Sequence, residues 1–139
     1  MKISYEENAL TTAQFTTLKA SVGRDGYHLQ VEKALAAGLY NVIAKDGDDI
    51  VGMGRLVGDG VIYWYVQDVV VKPEYQARGI GKKIMEYLLR YIKKNSLPNT
   101  TVSIGLMAVK GKEGFYEKLG FFTRPNETYG AGMMKFYQR

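Results

Sequence analysis

The sequence predicts a mixed α/β fold, with a central twisted sheet of about six to seven strands flanked by about four helices. Two observations carry this prediction. Apolar residues recur at helical spacing in some segments, whereas β-branched and aromatic runs bounded by Gly, Pro or Asp fill others. The elements follow in the order β-α-α-β-β-β-α-β-α-β-β. With 139 residues, the chain is expected to form a single domain over residues 1–139.

Each predicted helix has a start or stop signal. Thr11 or Thr12 can cap the first helix, and Gly38 ends the second. Asn95 and Pro98 end the third helix, in which apolar residues recur four apart, and Gly120 stops the fourth. The predicted helices span residues 11–22, 27–38, 79–95 and 110–120.

The predicted strands are rich in Val, Ile and aromatic residues. The longest, "VIYWYVQDVVV" at residues 61–71, ends at Pro73. A strand before residue 11 opens the order, and the others span residues 39–45, 50–58, 61–71, 101–109, 121–124 and 132–138. If the strands on either side of helix 79–95 are parallel, they form a right-handed crossover.

Composition excludes several classes of function. The chain has no Cys and one His, so disulfides and thiolate metal sites are excluded, and no carboxylate cluster suggests another metal site. There is no membrane-length apolar run and no signal-peptide core, so we expect a cytoplasmic protein without a membrane partner. The net charge is +5, but no nucleic-acid motif accompanies it, and the cations that end helix 79–95 are normal there.

A glycine-rich turn begins helix 79–95. Gly79 and Gly81 allow backbone N–H groups to approach a ligand, and the first N–H groups of a helix lack internal partners. Arg78, Lys82 and Lys83 add positive charge, so this turn is a candidate phosphate site. The alternative is a solvated helix face with glycines that only serve the turn. The spacing does not fit the phosphate-binding loop GxxxxGK[ST] or the dinucleotide fingerprint GxGxxG.

Two motifs resemble those of the GNAT superfamily of N-acetyltransferases. "VVVKPEYQARGIGKKIMEYLLRYI" is similar to the acetyl-CoA-binding segment, in which V-x-P is followed by [RQ]-x-x-G-x-[GA]. "GFYEKLGFF" at residues 114–122 resembles the second signature of the superfamily. Both lie at the expected separation, and the order of elements matches over nearly the whole chain.

The resemblance implies specific roles for residues of this chain. The backbone of one strand segment would bind the pantetheine arm, and the N–H groups of residues 77–82 would cradle the pyrophosphate. Tyr116 matches a position that often protonates the departing thiolate. Many members carry an Asn seven residues before that Tyr, where this chain has Val109. The implied cofactor-binding residues are Val69, Val70, Val71, Gln76, Ala77, Arg78, Gly79, Ile80, Gly81, Lys82 and Lys83.

Acetyl transfer to an amine requires a base and an acid. An alkylammonium with a pKa near ~10.4 must lose a proton before attack, and the departing thiolate benefits from a proton donor. Tyr116 is the predicted acid. Asp68, which interrupts an apolar strand, is the predicted base; the alternative is an Asp that binds nearby backbone or marks a β-bulge. Glu113 and Glu117 are weaker candidates.

Direct attack on acetyl-CoA is favoured over an acyl-enzyme, since there is no Cys and His28 lies in a segment different from that of the candidate site. The expected acceptor is the primary amine of a small molecule such as an amino acid, whose carboxylate two arginines could hold. A protein lysine or N-terminus, a non-catalytic CoA-responsive module and a homodimer stay open. The candidate acceptor contacts are Arg24, Tyr27, His28, Tyr63, Trp64, Tyr65, Arg124, Asn126, Glu127 and Tyr129.

Overall fold

A computed structural model describes residues 2–139. The strands are β1 (Ile3–Glu7), β2 (Tyr40–Asp46), β3 (Asp49–Gly58), β4 (Tyr63–Val71) and β5 (Ser103–Gly105). The α-helices are α1 (Thr12–Ser21), α2 (His28–Ala37), α3 (Ile80–Asn95) and α4 (Glu113–Glu117), and a 3-10 turn, Pro73–Tyr75, precedes α3. All four predicted helices are confirmed, and Thr11 caps α1 as one of the two predicted residues.

The strands form one mixed sheet in the order β1-β2-β3-β4-β5. The first four strands pair antiparallel in sequence order, whereas β5 lies parallel to β4. The predicted connection from β4 through α3 to a parallel strand is therefore confirmed. The fold class matches the prediction, with five strands in the described sheet instead of six to seven.

The end of the chain differs from the prediction. Residues 121–124 and 132–138, predicted as a strand pair, form no strand, and β5 is shorter than residues 101–109. A strand requires a partner ladder and a buried face that fixes its register. Here the Asn126 side chain instead accepts hydrogen bonds from the backbone N–H groups of Thr128 and Tyr129. Met133 and Phe136 are 87% and 86% exposed, so no buried face selects a register.

Helix α3 packs on one face of the sheet. Its apolar stripe includes Ile84, Met85 and Leu88, each 0% exposed, and burial of each such side chain contributes about 1.5–3 kcal/mol. Gly54 of β3 allows close approach, since a Cβ there would lie 2.5 Å from Ile84 Cγ2. The packing of α3 on β3 fixes the position of the helix start.

Helices α1 and α2 pack on the opposite face. Phe15 and Leu18 of α1 and Val31 of α2 form a buried cluster with Met53 of β3 and Val70 of β4. Strand alternation explains the two faces, because neighbouring residues such as Val69 and Val70 point to opposite sides. One face of β4 thus carries the α3 contacts, and the other carries the α1 and α2 contacts.

The chain divides into two compact units, and each is described separately below. The first ends at Leu106 and contains the sheet with α1, α2 and α3; the second is Met107–Arg139 and contains α4. A single domain over residues 1–139 therefore stays a prediction. Among the described residues, none of the helices combines the length and apolar character that crossing a membrane requires.

Candidate active site

Strand β4 has an unpaired edge in its second half. Among the described residues, β5 pairs only with Tyr63, Trp64 and Tyr65, so β4 lacks a strand partner on that side from residue 66 onward. The predicted pantetheine-binding residues 69–71 lie in this part. The Val71 carbonyl accepts a hydrogen bond from Gln76 Nε2 at 2.9 Å. An extended ligand arm with amide groups fits such an edge, because it can hydrogen-bond to strand backbone as an added strand does.

The loop before α3 has the backbone geometry of an anion site. Ala77 and Gly79 have positive φ angles of 60° and 84°, and the intervening residue does not. Alternation of this kind makes backbone N–H groups converge on one point. Gly79 is the N-cap, no side chain caps the helix, and the first helical hydrogen bond runs from the Lys83 N–H to the Gly79 carbonyl. The N–H groups of residues 80–82 therefore lack helical partners.

A hydrogen bond to β2 anchors this loop, and a cation–π contact lies within it. The Tyr75 hydroxyl donates to Asp46 Oδ2 at 2.7 Å, and the Arg78 guanidinium lies 5.6 Å from the centroid of the Tyr75 ring. This hydrogen bond lowers the pKa of Asp46 and raises the pKa of Tyr75, since it favours the carboxylate and the neutral phenol. Lys83 Nζ lies 3.4 Å from Glu86 Oε2, whereas Lys82 is exposed. Arg78 and Lys82 thus add positive charge to the loop.

Asp68 lies in a β-bulge of β4. Met53 pairs with Val70 and Arg55 with Gln67, so Asp68 and Val69 together face the single residue Gly54. Asp68 has a φ of 53°, a conformation that is uncommon for a non-glycine residue. The bulge corresponds to one of the two interpretations of Asp68 that the sequence allows.

Both carboxylate oxygens of Asp68 are ion-paired. Oδ1 lies 3.1 Å from Lys19 Nζ of α1, and Oδ2 lies 2.8 Å from Arg55 Nε of β3. The side chains of Lys19, Arg55 and Asp68 are 17%, 13% and 11% exposed. We call these three residues the bulge triad. Both oxygens that a general base would use to accept a proton therefore already contact a cation.

Tyr116 lies on α4, in the second unit. Its ring packs edge-to-face against Phe115 and Phe121, with centroids 4.9 and 6.0 Å away. Burial raises the pKa of the Tyr116 hydroxyl, because desolvation disfavours the phenolate. The raised pKa keeps the hydroxyl protonated at neutral pH. The hydroxyl makes no hydrogen bond within the second unit. Val109, in place of the Asn of many relatives, is 50% exposed.

The candidate acceptor residues fall into different surroundings. Trp64 is buried against Tyr91 of α3, so it lies on the face opposite α1 and α2. Tyr27 is 75% exposed, and His28 Nε2 lies 3.5 Å from Glu32. In the second unit, Arg124 Nε donates to the Gly130 carbonyl at 2.6 Å. The remaining acceptor candidates stay predictions.

Comparison with known proteins identifies the family. A family model described as an acetyltransferase (GNAT) domain matches residues 25–122. The chain belongs to the GNAT family. A structure of a probable acetyltransferase of unknown function from meticillin-resistant Staphylococcus aureus matches 98% of this chain and 100% of that chain, with a TM-score of 0.86 and 30% identity. The resemblance that the two sequence motifs predict is confirmed.

Curated GNAT relatives are longer than this chain. An uncharacterized ycf52-like N-acetyltransferase from Prochlorococcus marinus is 33% identical over 100 residues, which cover 69% of this chain and 53% of that protein. Serotonin N-acetyltransferase 2, chloroplastic, from Oryza sativa is 38% identical over 63% of this chain and 40% of its own length. The chain thus spans about half the length of the curated relatives it matches, and their activities and acceptors belong to those proteins.

Sequence reasoning missed several residues of this GNAT domain. Lys19 and Arg55 bind Asp68, yet neither was a candidate. Arg55 did offer a signal. It is a charged residue inside the apolar strand 50–58, as Asp68 is inside the strand 61–71, and a charge in such a strand requires a partner. The anchor from Tyr75 to Asp46 had no comparable signal, since the two residues are 29 positions apart.

Proposed function

We propose that the chain transfers an acetyl group from acetyl-CoA to the primary amine of a small molecule, by direct attack in a ternary complex. The observation that carries the proposal is the continuity between the unpaired edge of β4 and the anion loop before α3. The ligand that fits both parts has an amide-bearing arm joined to a diphosphate, as CoA does. Membership of the GNAT family supports the same cosubstrate.

In this proposal the first unit binds the cosubstrate. The backbone of residues 69–71 binds the pantetheine arm, and the N–H groups of residues 77–82 bind the diphosphate. Gln76, Arg78 and Lys83 stay the predicted side-chain contacts, and the exposed Lys82 adds positive charge beside them. Helix α3 adds its positive dipole end at the same place. None of these groups has to move a proton, so their role is to bind and orient the thioester.

In this proposal, other groups carry out the two proton transfers of the reaction. The Tyr116 hydroxyl donates a proton to the departing thiolate, a role that suits a phenol whose pKa burial keeps above its ordinary value. Removal of the ammonium proton by Asp68 stays a prediction. Because both carboxylate oxygens of Asp68 already contact a cation, we favour a different assignment, in which Asp68 holds Lys19 and Arg55 in place and water takes the proton.

Location and assembly are also proposals. The cytoplasmic location stays a prediction, and the rice relative carries the word chloroplastic in its name. A homodimer stays a prediction as well. Among residues 2–139, no group of three or more His, Cys, Asp or Glu side chains is arranged to hold a metal ion.

A titration with CoA tests the cosubstrate part of the proposal. A ligand that binds only the folded state raises the melting temperature, and at about 100 times its Kd it stabilises the fold by about 2.7 kcal/mol. We expect CoA to raise the melting temperature and to bind at one site per chain by calorimetry. Absence of any shift at about millimolar CoA would contradict the proposal.

A further inference from the structure

We propose that the amine acceptor carries a carboxylate, and that Lys19 and Arg55 of the bulge triad bind it. This inference rests on the proposed acetyl transfer and names the class of acceptor. The triad lies on the face of β4 that α1 and α2 cover, since Lys19 belongs to α1 and Arg55 Nη1 also lies 3.5 Å from the Ala34 carbonyl of α2.

The charge of the triad is not balanced. Two cations share one carboxylate, so the three side chains together carry one excess positive charge. At 17%, 13% and 11% exposure, water solvates these groups only in part. A partly desolvated charge without a counter-charge is costly, and an anion that enters this site would reduce the cost. The triad therefore favours an anionic ligand group over a neutral or cationic one.

Donor groups for such an anion remain. Arg55 contacts Asp68 through Nε alone, at 2.8 Å, which is not the two-pronged geometry that satisfies a guanidinium. Among residues 2–139, its other hydrogen bond goes from Nη1 to the Ala34 carbonyl. Within the same residues, Lys19 Nζ makes one hydrogen bond, to Asp68 Oδ1. Both side chains have more N–H donors than these contacts use, so they can donate to a second carboxylate without releasing Asp68.

The position of the triad matches an acceptor site. Asp68 directly precedes residues 69–71, the segment proposed to bind the pantetheine arm, and both lie beyond the last residue of β4 that pairs with β5. An acceptor whose carboxylate is held at Lys19 and Arg55 is thus anchored beside the same stretch of β4. A compact amino acid, with its amine and carboxylate close together, fits this requirement better than a long cationic chain.

Matched acceptors test the inference. Amino acids and the amines that result from their decarboxylation, such as phenylalanine and phenethylamine or alanine and ethylamine, share their side chains and differ only in the carboxylate. We expect wild type to favour the α-carboxylate member in kcat/KM by roughly 10- to 100-fold, the value of a hydrogen bond to a charged group. Lys19→Gln and Arg55→Gln should each reduce this preference, mainly by raising KM for the amino acid.

Controls separate the inference from simpler explanations. Lys33→Gln removes an exposed cation from α2 and should leave the preference unchanged. If Arg55→Gln does not fold, Lys19→Gln alone decides. A second readout is the shift in melting temperature that the amino acid causes in the presence of CoA, which should disappear in Lys19→Gln.

Two outcomes would overturn the inference, and a third would separate it from the proposed function. Acetylation of amines without preference for the carboxylate would overturn it, as would a preference that survives both substitutions. If no amine is acetylated, the proposed function fails. The carboxylate site would then still be supported by a melting shift specific to the amino acid and absent from Lys19→Gln, and it would be overturned by the lack of that shift.

Discussion

Substitution of Gly79 isolates the electrostatic part of CoA binding. Gly79 has a φ of 84°, and a Cβ added there would meet no atom within 4 Å. Ala, Gln and Glu at this position should therefore share the same backbone cost of about 1–2 kcal/mol, with no steric clash. This cost lowers the melting temperature of the ligand-free protein by roughly 3–8 °C, equally in all three variants.

The charge of Glu adds an effect that Gln lacks. A carboxylate about 5 Å from a diphosphate with about two negative charges repels it by about 1.7 kcal/mol at the dielectric constant of water. The Kd for CoA should therefore be roughly 15-fold higher in Gly79→Glu than in Gly79→Gln at low salt, and the difference should shrink as salt is added. Isothermal titration calorimetry measures both values.

Gly23→Glu is the matched control. Gly23 also has a positive φ, of 77°, and free space around its Cβ position, but it follows α1 and not the anion loop. This variant should lose comparable stability and bind CoA as wild type does. Equal CoA affinity in Gly79→Gln and Gly79→Glu, or unchanged affinity in both, would refute the assignment of a diphosphate to the start of α3.

Three further predictions address the acid, the triad and the packing of α3. Tyr116→Phe should lower turnover by roughly 10²-fold while CoA affinity and the melting temperature persist. Because burial raises the pKa of Tyr116, wild type should keep its acid function to a higher pH than an ordinary phenol would. Full activity in the variant would exclude this acid. Asp68→Asn should lower turnover equally at pH 7 and pH 9 and lower the melting temperature, whereas a larger loss at pH 7 would identify Asp68 as the base. Gly54→Ala should destabilise the protein by about 1–3 kcal/mol in urea unfolding, because its Cβ would lie 2.5 Å from Ile84 Cγ2. Gly114→Ala is the control, since a Cβ at Gly114 would meet no atom within 4 Å. An equal effect of both substitutions would contradict the packing argument.

The first unit was largely predictable because its signals are local. The sequence predicts helix α3 over residues 79–95, and the helix spans Ile80–Asn95, since its apolar stripe and terminal signals lie in the helix or directly beside it. Strand β4 was predicted over residues 61–71 and begins at Tyr63, because Asp59 Oδ1 accepts hydrogen bonds from the N–H groups of residues 61–63 and holds a turn there. Such a turn shifts a boundary without changing the element.

The features that the sequence does not predict depend mainly on contacts between residues far apart in the chain. Lys19 and Asp68 are 49 positions apart, so nothing in either segment predicts their ion pair. The positive φ of Ala77 could likewise not be predicted from the sequence, because Ala has no preference for this conformation. At the C-terminal end, residues 132–138 have the composition of a strand, but composition cannot supply the partner ladder that a strand requires.

The most direct test of the central claim is an acceptor screen with purified protein and acetyl-CoA. Released thiol is followed over time for a panel of amines with and without a carboxylate, and the N-acetyl product is identified by mass spectrometry. We expect thiol release with at least one carboxylate-bearing primary amine, in amounts equal to the product, and a large loss of that activity in Gly79→Glu. Binding of CoA without acetylation of any amine would contradict the claim and identify a CoA-responsive module instead.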